Sequence, residues 1–295
     1  RYKDHLQLPE QKSCSIDLAT GTGKSFVIYG LAQIMLAEGL VDQVLVLCPS
    51  RTIEAGLTEK FVMLAGNKIL KKLLPKNSVL VNPRIVNATK TIKKGDICIE
   101  NIHAVYQNTG SSIYDSLKGK GARTLVLNDE AHHIFNKVTG TGDDTAFKEW
   151  KKFLLNTQYG FNYIANFSGT PYIGQDYFLD VVYQYSLRKG IEEKVIKNVE
   201  YKIETGNDNL QELQNFENVW KNHTENKEKY TDIKPISIVI TADIAKCVEV
   251  WDKLVKFISS KENISLEQAR KKAIWVVSGI PSKSTDSGKR IFKII

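Results

Sequence analysis

Seven residues, Ala19-Thr20-Gly21-Thr22-Gly23-Lys24-Ser25, lie between a short apolar run that ends at Leu18 and a helical pattern that begins at Lys24. Ser15–Leu18 is strand-like. Lys24 through Ala37 carries apolar residues at Phe26, Ile28, Leu31, Ile34 and Met35 and stops before Gly39, which predicts a helix. A chain that turns from strand to helix through glycines can curl so that its backbone N–H groups point inward together. The first turn of the helix adds a partial positive charge to that cradle. The arrangement suits a phosphate chain, with Thr20, Gly21, Thr22, Gly23, Lys24 and Ser25 as its contacts. Lys24 would reach the outer phosphates, and the Ser25 hydroxyl would bind Mg2+. The strict pattern places glycine six positions before the lysine, where this chain has Leu18, so the match rests on Thr-Gly-Thr-Gly-Lys-Ser. The plain alternative is a glycine-rich turn joining a strand to a helix.

Apolar runs and helical patterns alternate from there. Val44–Cys48 is a continuous apolar run closed by Pro49, as a strand buried on both faces should be. Helices are expected over Ile53–Leu64 and Lys68–Leu74, and strands over Ile85–Ala88, Asp96–Ile99, Thr124–Leu127 and Ile164–Phe167. This alternation predicts a parallel sheet. A polar helix is expected over Asp208–Tyr230. A second α/β pattern follows: strand Ile236–Ile240, helix Ala242–Ser259, helix Leu266–Ala273 and strand Ile274–Val277.

The apolar run Thr124–Leu127 delivers Asn128-Asp129-Glu130-Ala131-His132-His133. An Asp at such a strand end can help hold Mg2+, and a following Glu can polarise an attacking water. Asp129 and Glu130 take those roles. Acidic residues also start helices for ordinary reasons, so the pair gains meaning from the phosphate loop about a hundred residues upstream. His132 is a candidate coupling residue beside the nucleotide. His133 equally suits a partly buried histidine with ordinary partners.

The net charge is +8, from 41 basic and 33 acidic residues. Eight basic residues, Lys68, Lys71, Lys72, Lys76, Arg84, Lys90, Lys93 and Lys94, fall between Phe61 and Gly95 with no acidic residue among them. Local basic excess marks a polyanion partner or simply a solvated lysine-rich face. The four cysteines are far apart, with no Cys/His cluster, so neither a zinc site nor a disulfide framework is visible and a reducing, cytoplasmic compartment fits. No stretch approaches the ~20 apolar residues of a membrane helix, so no membrane partner is expected. The chain opens at Arg1 rather than Met, and its second α/β pattern runs out at Ile295, which reads as a fragment of a longer protein.

Thr-Gly-Thr-Gly-Lys-Ser, Asp-Glu-Ala-His at 129–132 and Ser168-Gly169-Thr170-Pro171, in this order and spacing, resemble the superfamily 2 DEAD/DEAH-type helicases and translocases. Ser15-Ile16-Asp17, the run from Val44 to Phe61, Ser168–Tyr172 and Asp180–Val199 look closest to the Res subunit of type III restriction enzymes. The resemblance implies an α/β fold of two RecA-like P-loop domains with parallel sheets, over 1–185 and 186–295, the second truncated and carrying the polar helical insertion near 208–230. It implies ATP and Mg2+ as cofactors, with Lys24, Asp129, Glu130 and His132 catalytic. It implies a nucleic-acid partner, DNA ahead of RNA, and a methyltransferase/specificity subunit. By position, Ser50 and Arg51 after the second strand would touch the nucleic-acid backbone. Arg84, Lys90, Lys93 and Lys94 of the basic window would add to them. Ser168, Gly169 and Thr170 would couple hydrolysis to movement, and Ile238–Thr241 would open the second domain.

Some family parts are not visible. No clear adenine-reading glutamine motif precedes the loop, since Gln7 and Gln11 lack its usual context; no Gln-x-x-Gly-Arg-x-x-Arg motif supplies an arginine finger, and no nuclease pattern is convincing. A nuclease would lie beyond Ile295 or in another chain. The expected activity is a nucleic-acid-dependent ATPase motor in a restriction or phage-defence system. The rival is an ATP-binding interaction module that scaffolds a nucleic-acid-processing complex. A P-loop kinase or GTP switch fits less well, since no guanine-reading Asn-Lys-x-Asp occurs.

Overall fold

The computed structural model describes residues 7–106, 111–135, 143–197, 208–232, 234–241 and 243–276. The chain divides into two compact units, Arg1–Val199 and Glu200–Ile295. In chain order the first contains β1 (Lys12–Leu18), α1 (Lys24–Ala37), β2 (Gln43–Cys48), α2 (Arg51–Ala65), α3 (Lys68–Lys72), β3 (Arg84–Val86) and β4 (Asp96–Asn101). There follow α4 (His103–Tyr106), α5 (Ile113–Leu117), β5 (Thr124–Asn128), α6 (His132–Phe135), α7 (Asp143–Leu155) and β6 (Tyr163–Ser168). The unit closes with β7 (Tyr172–Ile173), β8 (Asp176–Tyr177), β9 (Val181–Tyr185) and α8 (Leu187–Glu192).

Seven strands form one sheet in the order β3-β4-β2-β5-β6-β1-β9, and every neighbouring pair is parallel. The short strands β7 and β8 make a separate antiparallel hairpin. β2, β4 and β5 are buried along their whole length, and for β2 and β5 this is why Val44–Cys48 and Leu125–Leu127 read as apolar runs and not as alternating ones. Alternate residues of the sheet feed two cores. Val44, Val46, Leu125, Leu127, Ala165 and Phe167 pack against Ile28 and Ala32 of α1 and Leu57 and Phe61 of α2. On the other face, Leu45, Leu47, Val126 and Ile164 pack against Ile113 of α5 and against Trp150, Phe153 and Leu154 of α7.

The second face also buries polar groups. Asn128 donates through Nδ2 to Oδ1 of Asn166 at 2.8 Å, and the Trp150 indole N–H donates to Oδ1 of Asn128 at 3.0 Å. These bonds tie the last residue of β5 to β6 and to α7. Within a core they offset the desolvation that an amide would otherwise carry unaided.

The first unit extends to Val199: β9 completes the sheet against β1, and beyond residue 185 α8 packs back on the loop after β1. The second unit contains α9 (Asp208–Lys229), α10 (Ile244–Glu262) and α11 (Leu266–Lys272). Val255, Ile258, Ala269 and Ala273 form its core, flanked by Trp220, Trp251 and Phe257. The Ser265 side chain and Gln268 close a reciprocal capping box at the start of α11. The strand expected at Ile236–Ile240 is not formed: the segment is unpaired and Ile236, Ile238 and Ile240 are 81, 81 and 90% exposed. Strand propensity needs a neighbouring ladder to act, and none lies beside this segment among the described residues. Ile274–Val276 is likewise outside any strand, and Val277 falls outside the described residues.

Two glycines make opposite predictions about stability. A Cβ on Gly121 would lie 2.4 Å from backbone atoms of Tyr159, Gly160 and Phe161, so Gly121→Ala forces two backbone segments apart. That should cost about 3 kcal/mol. Gly56, inside α2 with nothing within 4 Å of the added carbon, should gain about 0.5–1 kcal/mol as alanine. Urea denaturation midpoints of the two variants check both signs.

Candidate nucleotide site

A parallel sheet gathers the C-terminal ends of all its strands on one edge, and the polar residues singled out in the sequence emerge there. After β1 the chain turns through Gly21 at φ 87° and Gly23 at φ 93°, conformations that side chains with a Cβ rarely adopt. Thr22 steadies the turn, its hydroxyl donating to the Ala19 carbonyl at 2.6 Å. Lys24 then starts α1 and points across the sheet edge toward the end of β5.

There the Lys24 ammonium donates to Oε1 of Glu130 and lies 3.3 Å from Oδ1 of Asp129. Asp129 leaves β5 with its N–H still bonded to the Leu47 carbonyl at 2.8 Å. Its Oδ1 accepts the Glu130 N–H at 3.0 Å. Glu130 sits at φ 51°, a left-handed conformation uncommon outside glycine that is found preferentially at functional sites. That turn aims its carboxylate back at the loop. Burial raises the Asp129 carboxyl above its ordinary value, Lys24 opposes the rise and Glu130 adds to it.

His132 connects these carboxylates to β6. Its Nδ1 lies 2.9 Å from the Ser168 hydroxyl, 3.4 Å from that of Thr170 and 3.5 Å from Oε2 of Glu130. Burial, with help from the neighbouring His133, holds the His132 imidazole below its usual value. The two rings are 4.2 Å apart. The Ser168 hydroxyl also accepts the Thr170 N–H at 3.0 Å. Gly169 between them is pressed on the loop: a Cβ there would sit 3.1 Å from the Leu18 carbonyl and 3.3 Å from the Thr20 nitrogen. The structure therefore brings Thr20, Lys24, Asp129, Glu130, His132, Ser168, Gly169 and Thr170 to one edge.

The basic candidates separate. Ser50 follows the C-terminal end of β2 and caps α2, its Oγ accepting the Ile53 N–H at 3.3 Å, and Arg51 is exposed beside it. Lys90 lies past the C-terminal end of β3, its carbonyl accepting from the Ser112 hydroxyl. Arg84, Lys93 and Lys94 are at the opposite edge, where β3 and β4 begin. Strand β4 spans six residues, which puts roughly 17–20 Å between the two edges. Arg84 is forked on the Asp96 carboxylate at 2.9 and 2.7 Å, and Lys94 pairs with Asp42 at 3.1 Å. These three are thus no part of the loop-side cluster, because the short β3 returns the chain across the sheet between Arg84 and Lys90.

A neighbouring cluster was not legible in the sequence. Asp17, just before the loop, is buried and accepts from the Tyr177 hydroxyl at 2.8 Å and from Nε2 of Gln184 at 2.9 Å. Only the position of Asp17 hinted at a role, since its partners lie about 160 residues away.

Comparison with known proteins supplies the remaining observation: the type III restriction enzyme res-subunit family matches residues 1–173, more than half of the chain. The chain belongs to this family. The match falls on the first unit, whose parallel α/β sheet is that of a RecA-like domain. The crystal structure of the UvsW helicase from bacteriophage T4 is similar over 63% of the chain, at 14% identity and a TM-score of 0.35. The chain spans 58% of the length of that helicase chain. A comparison with curated proteins finds no match. No helix among the described residues is long and apolar enough to cross a membrane.

The loop and carboxylates fit a magnesium nucleotide. The glycines leave the cradle free of side chains, and the Lys24 ammonium supplies a countercharge for phosphate. No group of three His, Cys, Asp or Glu among the described residues could hold a metal by itself. A cation here would rest on one or two protein oxygens and on the phosphates, as magnesium does.

The buried carboxylate has a measurable consequence. Above its raised folded value Asp129 is ionised at a cost to the fold, and that cost disappears as pH falls through that value toward the ordinary 3.8. Asp129→Asn should therefore have a higher urea midpoint than the parent at neutral pH, with the gap closing in acid. A gap independent of pH would show that the carboxylate carries no such penalty.

Proposed function

We propose that this Res-family chain is a nucleic-acid-dependent ATPase motor that moves along DNA as the translocating subunit of a restriction or phage-defence system. One observation carries the reading: Lys24 lies between Asp129 and Glu130, while His132 links Glu130 to Ser168 and Thr170. A phosphate loop alone binds nucleotide. A phosphate loop wired through carboxylates to a second strand end can report the state of that nucleotide elsewhere.

In this reading the N–H groups of residues 20–25 hold the phosphate chain and Lys24 turns from the carboxylates to the outer phosphates. Ser25 and Asp129 would hold magnesium, which when bound neutralises charge on the phosphate oxygens. Glu130, released from Lys24, accepts a proton from the attacking water or orients it. His132 then exchanges partners among Glu130, Ser168 and Thr170, and the turn at Gly169 moves against the loop. Ser50, Arg51 and Lys90 touch the nucleic-acid backbone on the same sheet edge, so recognition is poor in sequence information. Sequence reading is left to a methyltransferase/specificity subunit. Residues 200–295 would belong to the second RecA-like domain, reached through the segment after α8.

Glu130→Gln should retain nucleotide but lose DNA-stimulated hydrolysis by roughly 10²–10⁴-fold. Lys24→Ala should lose both binding and turnover. Full activity in the two variants, or nucleotide binding by the parent without turnover on single-stranded DNA, duplex DNA or RNA, overturns the motor reading.

The separation of the basic residues by sheet edge makes a further expectation. Arg51→Ala and Lys90→Ala should each flatten the salt dependence of DNA binding by about 0.9 in log–log slope, while Arg84→Ala leaves it unchanged. Titrations of labelled DNA across a salt series provide the check.

A further inference from the structure

The sheet order assigns a direction to the bound nucleotide. Asp129 and Glu130 leave β5, which lies two strands from β1 on one side, and Lys24 reaches toward them. The outer phosphates therefore lie on that side of the loop. The nucleoside must leave on the other side, where β9 is the neighbour of β1 and α8 follows it.

This corner is built closely onto the loop. The Ala19 N–H, at the start of the loop, donates to the Tyr185 carbonyl at 3.1 Å. Gly190 of α8 faces the loop residue Thr22: a Cβ on Gly190 would lie 3.5 Å from Thr22 Cγ2 and 2.9 Å from Ile196 Cδ1. Around that contact stand three side chains that no phosphate role uses. The Tyr185 hydroxyl donates to Oε2 of Glu193 at 2.6 Å. The Lys189 ammonium lies 5.4 Å from the Tyr185 ring centroid and 3.8 Å from Oε1 of Glu193. The Lys189 and Glu193 side chains are 52 and 50% exposed, so they are open to a ligand.

We propose that Tyr185, Lys189 and Glu193 seat the adenine and ribose of the nucleotide whose phosphates the loop holds. The proposal rests on reading residues 19–25 as the phosphate loop. The Glu193 carboxylate accepts from ribose hydroxyls or from the exocyclic amine of adenine. Lys189 donates to a ring nitrogen, and the Tyr185 ring lends an aromatic surface.

The experiment compares magnesium ADP with magnesium tripolyphosphate, which has phosphates and no nucleoside, by calorimetric titration of the full chain. Lys189→Ala and Glu193→Ala, both of exposed side chains, should each weaken ADP about tenfold, or about 1.4 kcal/mol, and leave tripolyphosphate unchanged. Tyr185→Phe, which keeps the ring and removes the hydroxyl, should show a smaller loss of the same selectivity. Unchanged ADP affinity in both alanine variants overturns the proposal, and so does equal weakening of the two ligands. Failure of the parent chain to bind either ligand overturns the phosphate-loop reading itself.

Discussion

The all-parallel register of the seven strands is the constraint on which the rest of the first unit depends. It sends every strand in the same direction and so concentrates the turn after β1, the acidic turn after β5 and the Ser168–Thr170 turn after β6 on one edge. Parallel strands buried on both faces leave little solvent for polar groups, so a polar group inside is stabilised where it meets another. Asn128, Asn166 and Trp150 meet in this way directly beneath the edge that carries Asp129 and Ser168. Their bonds hold neighbouring strand ends in register, where an apolar trio of similar volume would pack without that directionality.

Electrostatics at the edge follow from that crowding. Asp129, buried beside a second carboxylate, resists ionisation, and a single ammonium lies against both carboxylates. Lys24 supplies that ammonium in the structure, and in the proposed mechanism it is the ligand of phosphate. Binding a polyanion therefore exchanges one set of oxygens for another around the same cation. In the proposed mechanism the carboxylates lose their partner at the moment when a proton acceptor and a metal ligand are needed. The left-handed backbone at Glu130 and the close approach of Gly169 to the loop give this exchange two places to be felt mechanically.

Legibility in the sequence followed from how local each feature is. Helix α1 appears in the structure over Lys24–Ala37, as its apolar spacing predicts, and β2, β5 and β6 differ from their apolar runs by a residue or two at the ends. The candidate residues of the loop and of the acidic turn are contiguous in sequence, so strand direction alone brings them together. The basic window is divided between two sheet edges, because contiguity misleads where the chain crosses the sheet: Arg84 begins β3, Lys90 lies past its end, and Lys93 and Lys94 are back at the start of β4. Ile236–Ile240 has strand composition without a ladder to join. The Asp17–Tyr177–Gln184 cluster joins residues about 160 positions apart, a separation that no local pattern encodes.

The same distinction separates chemistry from recognition within the first unit. Phosphate chemistry needs a few groups at set angles, and one turn at each of two strand ends can supply them, so it leaves short motifs. Recognition of a base needs only acceptors, donors and an aromatic surface at the right side of the loop, and many residue types suffice. Such groups come from whichever element the topology brings alongside, here the end of β9 and α8, more than 160 residues downstream of the loop they touch. Gly190 is the trace that this arrangement leaves in the sequence, since a Cβ there would crowd the Ile196 side chain at 2.9 Å where α8 lies in contact with Thr22. A lone glycine in a six-residue helix is uninformative until the sheet order shows what it faces.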